Sequence, residues 1–169
     1  MAAPVKAFAL ASMSPLILWL TWAMMLLPLA FLLGAAFSYP PLAIPGVLVL
    51  AIYAWIWLHF RPTRFEVGAD AIEVVWPVRR RSIPRREIAG VRRIGKDELR
   101  RMVGKAMRVG AGGVWGGFGV LWTEKRGVVQ MYVSRTDDFV WIERTGGRPW
   151  LITPENPSAF VRALSGPPS

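Results

Sequence analysis

Arginine is the residue type with which this chain could do most chemistry. The 169 residues include 21 Lys or Arg and 11 Asp or Glu. Residues 79–108 alone carry twelve basic and three acidic side chains, a net charge of +9, while the rest of residues 61–169 sums to zero. Guanidinium groups bind phosphate oxygens in a bidentate manner. This stretch, the arginine segment, therefore predicts contact with a phosphate-bearing surface, and its candidate headgroup-binding residues are Arg79, Arg80, Arg81, Arg85, Arg86, Arg92, Arg93, Arg100, Arg101, Lys105 and Arg108.

Three interpretations of the arginine segment stay open. It could be a solvated face that keeps the domain soluble, or it could bind RNA or DNA. It could also contact anionic lipid headgroups, since each basic residue near such a leaflet contributes about 1 kcal/mol within a Debye length. The last is the interpretation we favour, because so short a linker joins the domain to the apolar segments that a bulky duplex would have little room.

Other chemistry has little support in this sequence. With one histidine and no cysteine, the chain offers neither a metal cluster nor a disulfide. Asp137 and Asp138 are typical of a turn. The segment from Gly110 to Gly119 has six glycines, but it lacks the third glycine of a dinucleotide loop and the lysine of a phosphate loop. We therefore expect no catalytic residues, no metal and no cofactor, and we expect that the protein is not an enzyme.

Two groups of apolar residues near the arginine segment could either pack in the core of the domain or contact a membrane or partner. Trp115 and Phe118 lie within the glycine-rich segment, which we expect to be flexible or sharply bent. They are either core residues, which we favour, or exposed wedges at an interface. Leu99, Met102, Val103 and Ala106 have the spacing of a short amphipathic helix, although Gly104 interrupts it. That helix either lies in a membrane interface or, as we favour, faces the core.

The elements that must position these residues begin with a charge-free stretch. Residues 7–60 contain no Asp, Glu, Lys or Arg, and Ser38-Tyr39-Pro40-Pro41 divides them once. The two parts, 15–37 and 42–60, would reach roughly 34 and 28 Å as helices, against a hydrocarbon core of about 30 Å. This predicts a hairpin of two transmembrane helices. The first is too long for a cleaved signal peptide, and neither contains the polar pair that an ion pathway needs.

Basic residues lie at the ends of this hairpin and not in its loop. Lys6 precedes it, and Arg61 and Arg64 follow it. The positive-inside rule then places both termini in the cytoplasm. Amphipathic aromatic rings settle at headgroup level, and both helices carry them at this end. The predicted membrane-interface anchors are Trp19, Trp22, Trp55, Trp57, Arg61 and Arg64.

The remaining chain has mainly β signals. Seven or eight short strand patterns separated by turn residues run from Phe65 to Thr153. One helix follows, for which Thr153 is the expected N-cap and Pro154 the first helical residue. Phe160, Val161 and Leu164 give it an apolar face.

Two stretches carry a family resemblance. They are Ser-Arg-Thr-Asp-Asp-Phe-Val-Trp-Ile-Glu, from Ser134, and Trp-Leu-Ile-Thr-Pro-Glu-Asn-Pro-Ser-Ala-Phe-Val, from Trp150. With the order of elements, they resemble the bacterial pleckstrin-homology-like (PH) domain family, whose members often carry a two-helix hairpin ahead of the domain. The resemblance implies a seven-stranded PH-type barrel with a C-terminal helix and no catalytic residues.

Together these observations predict a membrane-anchored α+β protein. We expect an N-terminal cytoplasmic tail (1–14), a transmembrane hairpin (15–60), a PH-like bent β-sheet or barrel (61–165) and a flexible tail (166–169). We expect it in the bacterial inner membrane, with anionic lipids as its partners. The alternative is a scaffold subunit that binds a membrane protein or a second copy.

Overall fold

The fold begins with two long antiparallel helices. A computed structural model describes residues 5–166, so Met1–Pro4 and residues 167–169, most of the predicted tail, lie outside it. Helix α1 runs from Pro15 to Phe37, a 3₁₀ turn from Pro40 to Leu42, and helix α2 from Ala43 to His59. The predicted pair of apolar N-terminal helices is confirmed, and the double proline marks the turn between them.

Glycines let the hairpin pack closely. A Cβ at Gly46 of α2 would lie 3.0 Å from Leu32 of α1, and one at Gly34 would lie 2.9 Å from Leu42 in the 3₁₀ turn. Only 17% and 11% of the apolar windows of α1 and α2 are buried within the chain. Both are therefore long and apolar enough to cross a membrane, and most of their surface is not covered by protein.

The first sheet has four antiparallel strands, β1 to β4, in chain order. They are β1 (Lys6–Ala9), β2 (Arg64–Val67), β3 (Ala71–Val75) and β4 (Arg80–Pro84). Strand β1 precedes the hairpin in sequence and pairs with β2 directly after it, Ala9 opposite Arg64. The hairpin is thus inserted between two neighbouring strands of one sheet.

The second sheet has six strands in the order β5-β9-β10-β8-β7-β6. Its members are β5 (Ile88–Ile94), β6 (Ala106–Gly112), β7 (Gly117–Thr123), β8 (Gly127–Val133), β9 (Phe139–Arg144) and β10 (Trp150–Ile152). All pairs are antiparallel except β8 with β10.

Two short helices complete the domain. Helix α3 (Lys96–Val103) follows β5, and helix α4 (Pro157–Ser165) ends the described chain. Leu99 and Met102 pack against a buried cluster that contains Val103. The core-facing interpretation of this amphipathic segment is therefore correct, but the helix ends before Ala106, which belongs to β6.

The core divides between the two faces of the second sheet. One cluster joins both sheets and α4 through residues such as Phe65, Ile72 and Phe160. The other lies under α3 and includes Met131 and Leu151. The sheets remain open and form a sandwich. The predicted PH-like fold with a bent sheet and a C-terminal helix is confirmed, but a closed barrel, which the resemblance implied, is not formed.

Local differences from the sequence predictions have clear physical causes. Helix α4 begins at Pro157 because the Asn156 side chain accepts a hydrogen bond from the Ala159 N–H and so caps it. Thr153, the expected cap, instead accepts from the Ser134 N–H. The glycine-rich segment is a regular β6–β7 ribbon (residues 106–123) with a tight tip. Strand β1 was not predicted at all.

Candidate functional site

Hydrogen bonds fix the domain directly to both ends of the hairpin. Before α1, the Leu10 N–H donates to the Thr63 carbonyl and the Ser14 N–H to the Ser134 carbonyl, at 3.1 and 3.2 Å. After α2, the Trp76 indole donates to the Phe60 carbonyl at 3.0 Å. Residues next to strands of both sheets thus form hydrogen bonds with the hairpin. We call the side of the domain that carries these bonds, and that therefore faces the hairpin, the near end.

The tip of the β6–β7 ribbon makes a third attachment. Trp115 has a positive φ of 61° and directs its ring edge-to-face against Tyr53 and Trp57 of α2, with ring centroids 6.2 and 4.8 Å apart. A Cβ at Gly113 would lie 3.1 Å from the Met24 sulfur of α1. The ribbon therefore touches both helices inside their apolar stretches.

A single hydroxyl group, that of Thr21, provides a hydrogen-bond partner for the backbone N–H of Trp115 where the ribbon contacts α1. Thr21 is the only hydroxyl-bearing residue from Pro15 to Phe37, and it is 6% exposed. Its Oγ1 accepts from the Trp115 N–H at 2.9 Å and donates to the Ile17 carbonyl at 2.8 Å. Because an apolar environment penalises an unpaired N–H, Thr21 allows a strained loop to dock on a hydrophobic helix.

The two candidate interface aromatics are both used within the chain. Phe118 is fully buried in the core between the sheets, and Trp115 packs on α2 as described. In this structure neither is an exposed wedge.

At the near end, two arginines lie on aromatic rings beside the end of α2. The Arg61 guanidinium lies 4.3 Å from the Trp57 ring centroid, and that of Arg79 lies 4.5 Å from the Trp76 ring centroid. Burial lowers the pKa of Arg61, although an arginine stays cationic in proteins. Cation–π contact holds both charges in place without neutralising them.

Strand β4 then carries the arginine segment away from the hairpin. Arg80 pairs with Val75 at the near end, whereas Pro84 pairs with Ala71 at the other. Five strand residues cover about 15 Å. Arg85 lies beyond them and donates to the Ala163 and Leu164 carbonyls at the end of α4. Its role here is structural, and Arg86 lies equally far from the hairpin.

Several of the candidate arginines have partners within the domain. Arg80 contacts Glu66 and Glu73, Arg92 contacts Glu98, and Arg93 contacts Asp138. Arg81 lies near Gln130 and the Trp150 ring. These pairs are exposed and therefore weak, so they would yield to a stronger anionic partner.

Five candidates keep free cationic groups. Among residues 5–166, no hydrogen bond or ion pair is made by the side chains of Arg86, Arg100, Arg101, Lys105 and Arg108. Arg100 and Arg108 line the same cleft beside α1. The structure therefore distributes the arginine segment over several surfaces and brings only part of it to the near end and the cleft.

The four tryptophans among the predicted anchors, here called the aromatic belt, lie in the half of the hairpin next to the domain. Trp19, Trp22 and Trp55 are 75%, 64% and 58% exposed, and Trp55 stacks on His59. The antiparallel pairing places Trp22 near the level of Trp55. Arg64 follows at the start of β2, where it contacts Glu66.

Three residues of these contacts were not predicted from the sequence. Lys96 and Arg135 line the cleft with Arg100, and Thr21 ties the ribbon to α1. A lone hydroxyl within an apolar helix was a usable signal for Thr21. No sequence pattern marks Arg135, because its position depends on the pairing of distant strands.

Asp137 caps the N-terminus of α3. Its carboxylate accepts from the Lys96 and Asp138 N–H groups, both at 2.8 Å, and these bonds lower the pKa of Asp137. Gly95 at the helix N-cap has no side chain to do this. The predicted turn aspartate therefore acts as a cap supplied by another segment.

Two apolar helices followed by an open two-sheet domain with a C-terminal helix define a PH-like protein with two candidate membrane spans. The family model described as "Bacterial PH domain" matches residues 63–167, and the chain belongs to that family. No curated protein and no solved structure matches the chain.

Proposed function

We propose that this protein crosses the bacterial plasma membrane twice and holds its PH domain against the cytoplasmic leaflet, where basic residues bind anionic lipid headgroups. It acts as a binding module without catalytic residues or a cofactor. This goes further than the family assignment, which supplies only the domain, and further than the two candidate spans, which rest on length and composition.

The observation that carries the proposal is the rigid attachment of the domain at the level where the hairpin ends. Phe60, directly after α2, is bonded to Trp76, and Arg79 lies on the Trp76 ring. Arg61 lies on Trp57 inside the aromatic belt. If the hairpin spans a bilayer, these guanidinium groups lie at headgroup height.

The basic residues are better suited to selecting anionic lipids than to recruiting the domain to the membrane. The hairpin already supplies attachment, since both of its helices are long and apolar enough to span a bilayer. Each cation adds about 1 kcal/mol next to an anionic leaflet. A few such contacts would orient the domain and enrich anionic lipids around it, and added salt would weaken them.

Single cysteines give a direct test, because the chain has no cysteine. Val78→Cys places a spin label beside Arg79 at the near end, and Ala89→Cys places one at the far end of β5. Both native residues are exposed and neither change alters a charge. The full-length protein is placed in phosphatidylcholine nanodiscs with or without phosphatidylglycerol, together with a lipid-bound relaxation agent.

We expect faster relaxation at position 78 than at position 89, and a larger difference when phosphatidylglycerol is present. Equal relaxation at both positions would remove the claim that the near end faces the leaflet. A difference that does not depend on phosphatidylglycerol or on salt would keep the geometry and reject anionic-lipid binding.

One observation favours a second candidate, a subunit that binds another protein. Strand β6 is an edge of the second sheet, and Met107, Val109 and Trp122 on the ribbon are 61%, 46% and 54% exposed. An open apolar edge can pair with another chain. Copurification of a stoichiometric partner in detergent, lost in Trp122→Glu, would favour this candidate over lipid binding.

A further inference from the structure

A cleft of about 640 Å³ lies between α1, α3 and the second sheet. The cleft is partly open to the outside, and small-molecule sites occupy about 300–1,000 Å³. Its volume is therefore sufficient for a small molecule or for part of a lipid tail.

The floor of the cleft is apolar and comes from the cluster under α3. Val103, Leu121, Met131 and Leu151 line it, and each is less than 9% exposed. A floor without polar side chains favours a hydrocarbon occupant, because a hydrated or charged group there would lose its water without compensation.

The outer wall of the cleft is the first part of the hairpin. Leu16, Ile17 and Leu20 of α1 line it at helical spacing. Under the function proposed above, on which this inference rests, these residues lie where the helix enters the bilayer. The cleft is then continuous with the lipid phase, so a molecule could pass from the membrane into it without crossing water.

The rim is cationic. Lys96, Arg100 and Arg108 line the cleft, and their side-chain nitrogen atoms have no partner among residues 5–166. A Cβ at Gly117 would lie 3.2 Å from Arg108 Nη1, so the glycine makes room for this guanidinium across the inner face of the ribbon. Three cations without an ion pair beside an apolar floor match an anionic head joined to a hydrocarbon tail.

We propose that this cleft binds one anionic phospholipid, with an acyl chain on the floor formed by Val103, Leu121, Met131 and Leu151 and its phosphate between Lys96, Arg100 and Arg108. The protein then extracts part of a lipid from the leaflet instead of only touching headgroups. Specificity for anionic lipid comes from the rim. The size of the cleft limits the length of acyl chain that can bind on the floor.

Photolabelling of the full-length protein tests this proposal. The probe is a phosphatidylglycerol with a diazirine at the end of one acyl chain, in nanodiscs of phosphatidylcholine, and the adducts are located by peptide mass spectrometry. We expect adducts on floor residues such as Met131 and Leu151, in addition to those on α1 and α2. Adducts confined to the two helices would overturn the proposal.

Filling the cleft should remove the floor adducts. Ala106 lines the cleft but is itself exposed, so Ala106→Trp fills the space without replacing a core side chain. Met107→Trp is the matched control, since the next residue of a strand points to the opposite face. Leu16→Trp fills the cleft from the α1 wall and serves if Ala106→Trp unfolds. Floor labelling that persists in both filling variants would contradict the proposal.

The rim is tested separately from the floor. Arg100→Gln and Arg108→Gln should each lower floor labelling by the phosphatidylglycerol probe roughly fivefold. Labelling by a phosphatidylcholine probe of the same chain length should fall less, because that headgroup has the same phosphate but no net charge. Equal loss with both probes would reject selection of anionic lipid by the rim.

The result also separates this inference from the proposed function. If the spin label at position 78 senses anionic lipid while the floor is never labelled, surface binding stands and only the cleft proposal fails. If neither is seen, the proposed function fails as well.

Discussion

The hydroxyl group of Thr21 shows how one side chain can decide whether two parts of this molecule fit together. Docking the ribbon on the hairpin places Gly113 against Leu20 and Met24 of α1 and the Trp115 ring against Tyr53 and Trp57 of α2, so the Trp115 N–H lies in a mainly apolar contact. Thr21 Oγ1 accepts that hydrogen bond while donating its own proton to the Ile17 carbonyl. A buried donor left unpaired costs about 1–3 kcal/mol.

We predict that Thr21→Val destabilises the full-length protein by about 1–3 kcal/mol, because valine fills the same volume but cannot accept the bond. Thr21→Ser, which keeps the hydroxyl, should lose much less. Thermal unfolding in detergent followed by circular dichroism gives both values. Indistinguishable midpoints for the two variants would mean that the hydrogen bond does not hold the ribbon to α1.

At the scale of elements, the β6–β7 ribbon depends on glycines that face each other. Gly110 pairs with Gly119, and their φ angles are 137° and 133°. A Cβ at Gly119 would lie 2.5 Å from the Val109 carbonyl oxygen, which is backbone and cannot move aside. The two strands approach so closely that neither position has room for a side chain.

Gly119→Ala should therefore destabilise the protein by more than about 2 kcal/mol, from backbone strain and from the clash with the opposite strand. Gly90→Ala is a suitable control, because a Cβ there meets nothing within 4 Å and its φ is ordinary. Chemical denaturation of the two variants in detergent makes the comparison. Similar stability in both would show that the ribbon can relax at this point.

An element could be predicted from the sequence where neighbouring residues determine it, and could not where a distant segment does. The bounds of α1 come from Pro15, an uninterrupted apolar run and the Ser38–Pro41 turn, all of them local. Strand β1 is different, since Lys6–Ala9 is a strand only because β2, more than fifty residues later, supplies its partner. The cleft was equally invisible, because Arg100, Arg108 and Leu20 meet only through tertiary packing.

For the whole molecule, the insertion of the hairpin between β1 and β2 makes anchor and domain a single unit. The chain leaves the sheet at Ala9, makes the hairpin and returns to pair at Arg64. Both ends of the hairpin therefore lie at the same end of the domain, so the N-terminal strand and the C-terminal helix must share one side of any membrane that the hairpin spans.

The side in question should be the cytoplasm, because Lys6, Arg61 and Arg64 lie at this end of the hairpin while the Ser38–Pro41 loop has no basic residue. We predict that a reporter active only outside the cytoplasm stays silent when fused to the C-terminus and becomes active when inserted after Tyr39. If the hairpin spans the membrane, the loop and the C-terminus lie on opposite sides of it, and the two fusions then give opposite results. Activity at the C-terminus with silence at Tyr39 would invert the topology and place the cationic cleft in the other leaflet, whereas activity at neither site would show that the hairpin does not span.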